Sequence, residues 1–197
     1  MSKAIMISIK PKWCAEIMNG NKTIEVRKNK VLATAIQKLI DEYGYADIYV
    51  YCSKDKAYSK LCKYPCDNNT KAFLNLGKVL FKFRCYKIDE YVNGRKWSWK
   101  SGSTMWGACN DYEYILKDTC LTDDELRNYA DDLSFIAIHI SDLEIFDYPK
   151  ELCEFHTNVK KEPPEELLCP ECGKPMEYYE YKYLTKAPQN FCYVEEN

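Results

Sequence analysis

The spacing of hydrophobic and polar positions changes several times along the chain, and each change marks an element. Ala4-Ile5-Met6-Ile7-Ser8-Ile9 is a short apolar run that predicts a first strand. Pro11 then stands where a helix can begin. Trp13, Cys14, Ile17 and Met18 follow at helical spacing, and Asn19-Gly20 ends that helix. Thr23-Ile24-Glu25-Val26-Arg27 alternates, so it predicts a strand with Ile24 and Val26 turned inward. Thr23, Glu25 and Arg27 then share the other face. From Val31 to Tyr43 the apolar positions 32, 36, 39, 40 and 43 predict an amphipathic helix closed by Gly44. Ile48 to Cys52 is a β-rich run, and Lys78 to Cys85 alternates as a strand. Between them, residues 53–77 are polar, Lys-rich and irregular, and read as an insertion. Residues 92–110 read as a loop carrying aromatics. Thr122, followed three residues later by Glu125, is a capping box that opens a short helix to Tyr129. Leu133 to Phe146 is the strongest β segment late in the chain. The order β-α-β-α-β, with further strands and short helices, predicts a mostly β, α+β fold.

Composition narrows the class. The chain has 197 residues, 46% apolar and 29% charged, which suits one folded domain of generous size, or one domain with a small appended module. The longest apolar runs are a few residues, such as Phe135 to Ile138, whereas a membrane-spanning helix needs roughly 20. Residues 1–12 lack the apolar block of a signal peptide, so a cytoplasmic protein with no membrane partner is expected. The 11 cysteines are an odd number, and a reducing compartment makes most of them small buried hydrophobes. No Gly-rich phosphate loop occurs, which argues against Rossmann and P-loop chemistry.

The net charge of −2 hides an asymmetry. Residues 1–100 hold 20 Lys/Arg against 9 Asp/Glu, and residues 101–197 hold 8 against 21. A basic half suggests an anionic partner, and two solvated faces of opposite sign give the same count. The densest basic chemistry is Lys10-Pro11-Lys12-Trp13 followed by Lys22-Thr23-Ile24-Glu25-Val26-Arg27-Lys28. Residues two apart on one strand face sit roughly 6.6 Å apart. A cation, a hydroxyl, a carboxylate and a guanidinium can therefore converge on one ligand-sized space. Arg95, Lys96, Trp97, Trp99 and Lys100 add cations beside stacking surfaces, a mixture that suits single-stranded bases or packing over the end of a barrel.

These segments resemble the ASCH domain, a family of the PUA-like superfamily of small β-barrels. The resemblance rests on Ile9-Lys-Pro-Lys-Trp13 and Gly20-Asn-Lys-Thr-Ile-Glu-Val-Arg-Lys28, supported by residues 48–52, 77–83 and 139–147. The ending Ala187 to Glu195 is similar to longer ASCH proteins of phages and prophages. The resemblance implies a PUA-like β-barrel over residues 1–147 with short decorating helices. It also implies a cleft for RNA or a modified nucleoside, lined by Lys10, Lys12, Trp13, Lys22, Arg27 and Lys28, with Trp97 and Trp99 nearby. A short bacterial form of the family hydrolyses the acetyl amide of N4-acetylcytidine with a lysine, a threonine and a more distant glutamate. Lys22 matches that lysine, while Glu25 stands where the threonine would be. An amidohydrolase or ribonuclease would then use Lys22 with Glu25 or Thr23, and Glu113 and Asp118 are candidates for the distant carboxylate. A third reading is a phage host-interaction protein whose acidic half meets a basic protein partner.

One motif lies outside that frame. Cys169-Pro-Glu-Cys172 is a Cys-x2-Cys knuckle, and Cys153-Glu-Phe-His156 supplies a second pair at the same spacing. Together they fit a structural Cys3His zinc site. A zinc-stapled insertion over about 150–183 is expected, followed by a tail, 184–197, whose Phe191, Cys192, Tyr193 and Val194 are apolar enough to pack back on the barrel. His139, at an alternating position of a β segment, reads as a hydrogen-bonded residue of the barrel wall.

Overall fold

The computed structural model describes residues 4–55, 76–98, 103–104, 113–130, 132–161, 174 and 178–196. The expected insertion at 53–77 therefore lies largely outside the described residues. Strand β1 (Ala4–Ile9) leads through α1 (Pro11–Met18), β2 (Ile24–Arg27) and α2 (Lys30–Tyr43) to β3 (Ala46–Cys52). Then come β4 (Val79–Cys85), β5 (Ile88–Val92), β6 (Arg95–Ser98), β7 (Ser103–Thr104), α3 (Glu113–Thr119) and α4 (Asp123–Tyr129). The chain closes with β8 (Phe135–His139), β9 (Ser141–Lys150), a 3-10 turn at Leu152–Glu154, β10 (Phe155–Lys161), β11 (Tyr178–Tyr183) and β12 (Phe191–Glu196). The expected mostly β, α+β class is what the described residues form.

The strands make two sheets. One has seven strands in the order β11-β10-β12-β1-β3-β4-β9, the other five in the order β2-β8-β5-β6-β7. β1 and β3 pair in parallel, which the β1-α1-β2-α2-β3 crossover permits. Among the described residues the two sheets are open, with no ladder joining their outer strands.

β1 lies inside its sheet and is covered on both faces, which is why its sequence is nearly all apolar. Ile5, Ile7 and Ile9 enter a core with Ile36 and Leu39 of α2, Ile17 of α1, and Ile136 and Ile138 of β8. Ala4 and Met6 enter a second core with Tyr49, Phe155 and Val194. On the other side of β8, Ala137 and Phe135 pack with Ile24, Val26, Tyr91 and Leu126. The alternation predicted for residues 24–27 separates Ile24 and Val26, which enter this core, from Glu25 and Arg27, which do not.

Three segments depart from the pattern reading. Leu133 to Phe146 is two strands, because the chain leaves the five-stranded sheet after His139 and enters the seven-stranded one at Ser141. Part of the expected loop at 92–110 is a hairpin of β5 and β6, turned by Asn93 (φ 51°) and Gly94 (φ 73°). Both turn residues are left-handed, the requirement of a two-residue hairpin turn that Asn-Gly meets. Residues 155–161 and 178–183, within the stretch expected as a zinc insertion, are strands of the large sheet.

Two local devices fix the start of α4 and the middle of the small sheet. Thr122 Oγ1 accepts from the Glu125 amide at 3.1 Å, while Glu125 Oε2 accepts from the Thr122 amide at 3.0 Å. This capping box sets the start of α4, and Thr122→Ala is expected to cost about 1 kcal/mol, read from the urea midpoint. On the small sheet, Asp89 of β5 ties three segments together. It meets His139 Nε2 at 2.9 Å, Lys96 Nζ at 2.8 Å and Lys87 Nζ at 3.2 Å. Burial alone raises this carboxyl, but hydrogen bonds from His139, Lys96 and Lys87 outweigh it and hold it well below the usual carboxylate range. A carboxyl whose folded pKa lies below its unfolded value stabilises the fold above the unfolded value. That contribution fades as pH falls below the ordinary 3.8. Asp89→Asn should therefore cost on the order of 2 kcal/mol at pH 7, and the difference from wild type should shrink below about pH 4 in urea titrations.

Candidate functional site

The basic motif of the first 28 residues folds into one wall and the floor of a cleft. Ser8, Ile9 and Lys10 come from the end of β1, and Trp13 from α1. Lys22, Glu25, Val26 and Arg27 come from the approach to β2 and from β2 itself. Leu121, Glu125, Asn128 and Tyr129 come from α4 and the residues before it. The volume is about 490 Å³, within the range of small-molecule sites. A wider groove of about 790 Å³ runs between α2 and β5, but it lacks a comparable convergence of buried charges.

Three charges form a row at the base of the cleft. Lys22 Nζ lies 3.4 Å from Glu25 Oε2, and Arg27 Nε lies 3.0 Å from Glu25 Oε1. Lys22 is only 2% exposed. Its ammonium donates to the carbonyls of Ile24 and Thr119, each at 2.8 Å, so with Glu25 all three protons have an acceptor. Arg27 Nη2 donates to the Ser8 carbonyl at 2.6 Å and so links β2 to β1, one sheet to the other. The Arg27 Nε contact with Glu25 is close but lacks hydrogen-bond alignment, which leaves that N–H without a hydrogen-bond partner. The row carries a net charge of +1, and the deepest of its members, Lys22, is held by backbone carbonyls of two different segments.

The mouth is basic and aromatic. Lys12 Nζ sits 4.1 Å from the Trp13 ring centre and 2.9 Å from Glu125 Oε1. The Lys12–Glu125 pair thus spans from α1 to α4. Lys22 Nζ is 5.3 Å from the same indole. Lys28 lies outside the lining, 5.0 Å from the ring of Tyr129. The backbone amide of Thr122 and the ammonium of Lys12 both stabilise the ionised form of Glu125 and hold it below its ordinary value.

Of the residues expected at the site, Lys10, Trp13, Lys22, Glu25 and Arg27 line one cleft, with Lys12 at its rim. Thr23 is exposed and does not line it, because the ladder starts at Ile24 and the backbone of Thr23 is tied to Asp118 and Ile140 instead. Glu113 is exposed at the start of α3, and Asp118 meets this motif through its carbonyl. Trp97 lies on β6, paired with Glu90 and Thr104, and Trp99 is outside the described residues. The far wall of α4, with Glu125, Asn128 and Tyr129, has no sequence signal that places it against α1.

Among the described cysteines a side-chain hydrogen bond with Cys14 lowers the Cys52 thiol, but Cys52 is buried and does not line the cleft. Burial pushes the Cys14 thiol well up, and Cys85 and Cys192 up to about 11. Among the expected zinc ligands, Cys153 is exposed on the 3-10 turn. His156 is buried on β10, its Nε2 3.5 Å from Glu195 and its ring against Tyr181. Cys169 and Cys172 are outside the described residues, and among the described residues no group of three His, Cys, Asp or Glu side chains is placed to hold a metal.

The described residues thus define a mostly β, α+β protein with a charged, aromatic-rimmed cleft between two sheets. No protein-family model matches the sequence, and no curated protein does. The chain is similar to the crystal structure of ASCH from Zymomonas mobilis, with 14% identity, a TM-score of 0.45, and 77% of this chain and 76% of that one covered. A mutant of the same protein gives the same score, with 75% of its chain covered. The N-terminal domain of Staphylothermus marinus McrB is similar at 12% identity and a TM-score of 0.41, over 75% of this chain and 76% of that one. At such identities the likeness is one of backbone course and transfers no residue roles. Among the described residues no helix is long and apolar enough to cross a membrane.

Proposed function

We propose that the protein recognises RNA, or a nucleoside with a modified base, in the cleft between β1, α1, β2 and α4. The observation that carries this is the buried Lys22–Glu25–Arg27 row at the floor of a cleft rimmed by Trp13, Lys10 and Lys12. Glu25 is an acceptor for exocyclic amino or ring N–H groups at the edge of a base. Trp13 offers an aromatic face for stacking, and Lys10 and Lys12 meet flanking phosphates. Fluorescence polarisation with labelled single-stranded RNA and DNA tests this. Two phosphate contacts predict that binding weakens about sevenfold between 50 and 200 mM salt. Salt-insensitive binding, or none, would count against it.

Hydrolysis is the second reading, favoured by the closeness of the buried Lys22 and Glu25. In that scheme Glu25 takes a proton from water and Lys22 faces the developing oxyanion. Each would have to exchange a present contact for substrate. Release of acid from an N4-acylated cytidine is the corresponding assay. A structural zinc held by Cys153, His156, Cys169 and Cys172 belongs to the same proposal. One equivalent of zinc in the purified protein, lost with Cys169→Ser, is the expected result.

A further inference from the structure

A second polar cluster lies away from the cleft, on the five-stranded sheet. Asp89, 9% exposed, is met by three nitrogens: His139 Nε2, Lys96 Nζ and Lys87 Nζ. None of these four residues lines the cleft. The strands fix the arrangement. Asp89 stands opposite Ala137 in the β5–β8 ladder, so it is close to His139 on the same strand. Lys96 comes from β6, the other neighbour of β5. The amide of His139 donates to the Lys87 carbonyl at 3.2 Å, which pins the segment before β5 beside the imidazole.

One carboxylate needs one cation to balance it. Here two lysines and an imidazole converge on it, and each long side chain gives up rotamer freedom to do so. The two ammonium groups exceed the single carboxylate by one positive charge, and the imidazole adds a further titratable nitrogen. Asp89 is the buried member, while Lys87, Lys96 and His139 are 56%, 32% and 31% exposed. The carboxylate therefore anchors two partly exposed ammonium groups, each with protons beyond the one it gives Asp89, and an imidazole whose Nε2 is already committed to it. Lys87 Nζ and His139 Nε2 both lie within 3.2 Å of the same carboxylate oxygen, Asp89 Oδ2. An anion on the outer side would be met by the remaining lysine protons, and by His139 only through a protonated Nδ1. With Nε2 directed at Asp89, the other ring nitrogen of His139 has no partner among the described residues.

We infer that Lys87, Lys96 and His139, positioned by Asp89, form a binding site for a phosphate group. The chemistry fits a phosphate of a nucleic-acid backbone and a free phosphate or phosphate ester alike. The site is independent of the cleft and of the function proposed for it.

The chain has two histidines, which makes the test direct. Ring-proton resonances of His139 and His156 are followed by NMR during titration with inorganic phosphate at constant ionic strength, up to about 50 mM, well above a millimolar Kd. His156 is buried on β10 in the other sheet and serves as the internal reference for folding and for nonspecific effects. The inference predicts a saturable shift of His139, none of His156, and at least tenfold weaker binding in the Lys87→Gln/Lys96→Gln double variant. Should that variant lose the wild-type His156 signal, Lys96→Gln alone carries the comparison. A second arm uses a short single-stranded RNA on wild type and on the cleft-rim variant Lys10→Gln/Lys12→Gln. A His139 shift by RNA that survives the rim changes assigns the site to backbone phosphate. A response to phosphate but not to RNA assigns it to a free phosphate or ester. No saturable phosphate response, a shift shared with His156, or an undiminished response in the lysine variants overturns the inference.

Discussion

Lys22→Ala is expected to lower stability by about 3–5 kcal/mol, a large part of the 5–15 kcal/mol typical of a domain. The ammonium is almost fully buried and bonds two carbonyls, of Ile24 and Thr119, besides facing Glu25. Its removal leaves both carbonyls short of a donor, opens a cavity beside Trp13, and leaves Glu25 paired with Arg27 alone. An unmatched buried polar group costs its full desolvation. Lys22→Met should be milder because it refills the space, and because the remaining Glu25–Arg27 pair is neutral. Urea unfolding of both variants measures this. The result also separates two roles for the lysine. If Lys22→Ala is as stable as wild type, the ammonium does not hold the floor together and is free to serve a ligand.

The second large effect is expected from the C-terminal strand. Ending the chain after Thr185 should abolish the cooperative unfolding transition. β12 lies between β1 and β10, so its loss opens the middle of the seven-stranded sheet. The ladder from Ala4–Val194 to Ile7–Phe191 disappears, and with it the ladder that joins β10 and β11 to the rest. Val194 is 1% exposed and shares a core with Met6, Tyr49 and Phe155. Burying one such side chain contributes roughly 1.5–3 kcal/mol, and the truncation uncovers several. The hydrogen bond from Tyr49 Oη to Glu196, 2.6 Å, is lost as well. A truncated chain that still melts cooperatively, followed by circular dichroism, would show that β12 only covers the sheet.

Much of this architecture could be read from local pattern. The apolar run 4–9 gave a strand covered on both faces, and the alternation at 24–27 marked a strand with Ile24 and Val26 in a core and Glu25 and Arg27 on the other face. Gly44, at φ 83°, ends α2 as its left-handed backbone requires. The failures have physical causes. Asn93-Gly94 is a strong turn signal, but tryptophans and serines around it hid the alternation of β5 and β6. The division of 133–146 between two sheets depends on long-range pairing that no local period records. In the cleft, the basic motif announced the wall and floor, because its residues are adjacent in sequence. The α4 wall, nearly 100 residues further on, meets it only through tertiary packing. The motif did not show that the lysine turns inward onto carbonyls, nor that Thr23 turns away.

The most direct test of the cleft reading is a comparison of RNA affinity between wild type and Lys10→Gln/Lys12→Gln, by fluorescence polarisation at low salt. Both side chains are exposed at the rim and neither is part of a core, so the fold should be kept. The account predicts at least tenfold weaker binding and a log–log salt slope shallower by about 1.4, since two phosphate contacts are removed. Unchanged affinity and slope in a folded variant would contradict it, and would place any RNA contact elsewhere on the molecule.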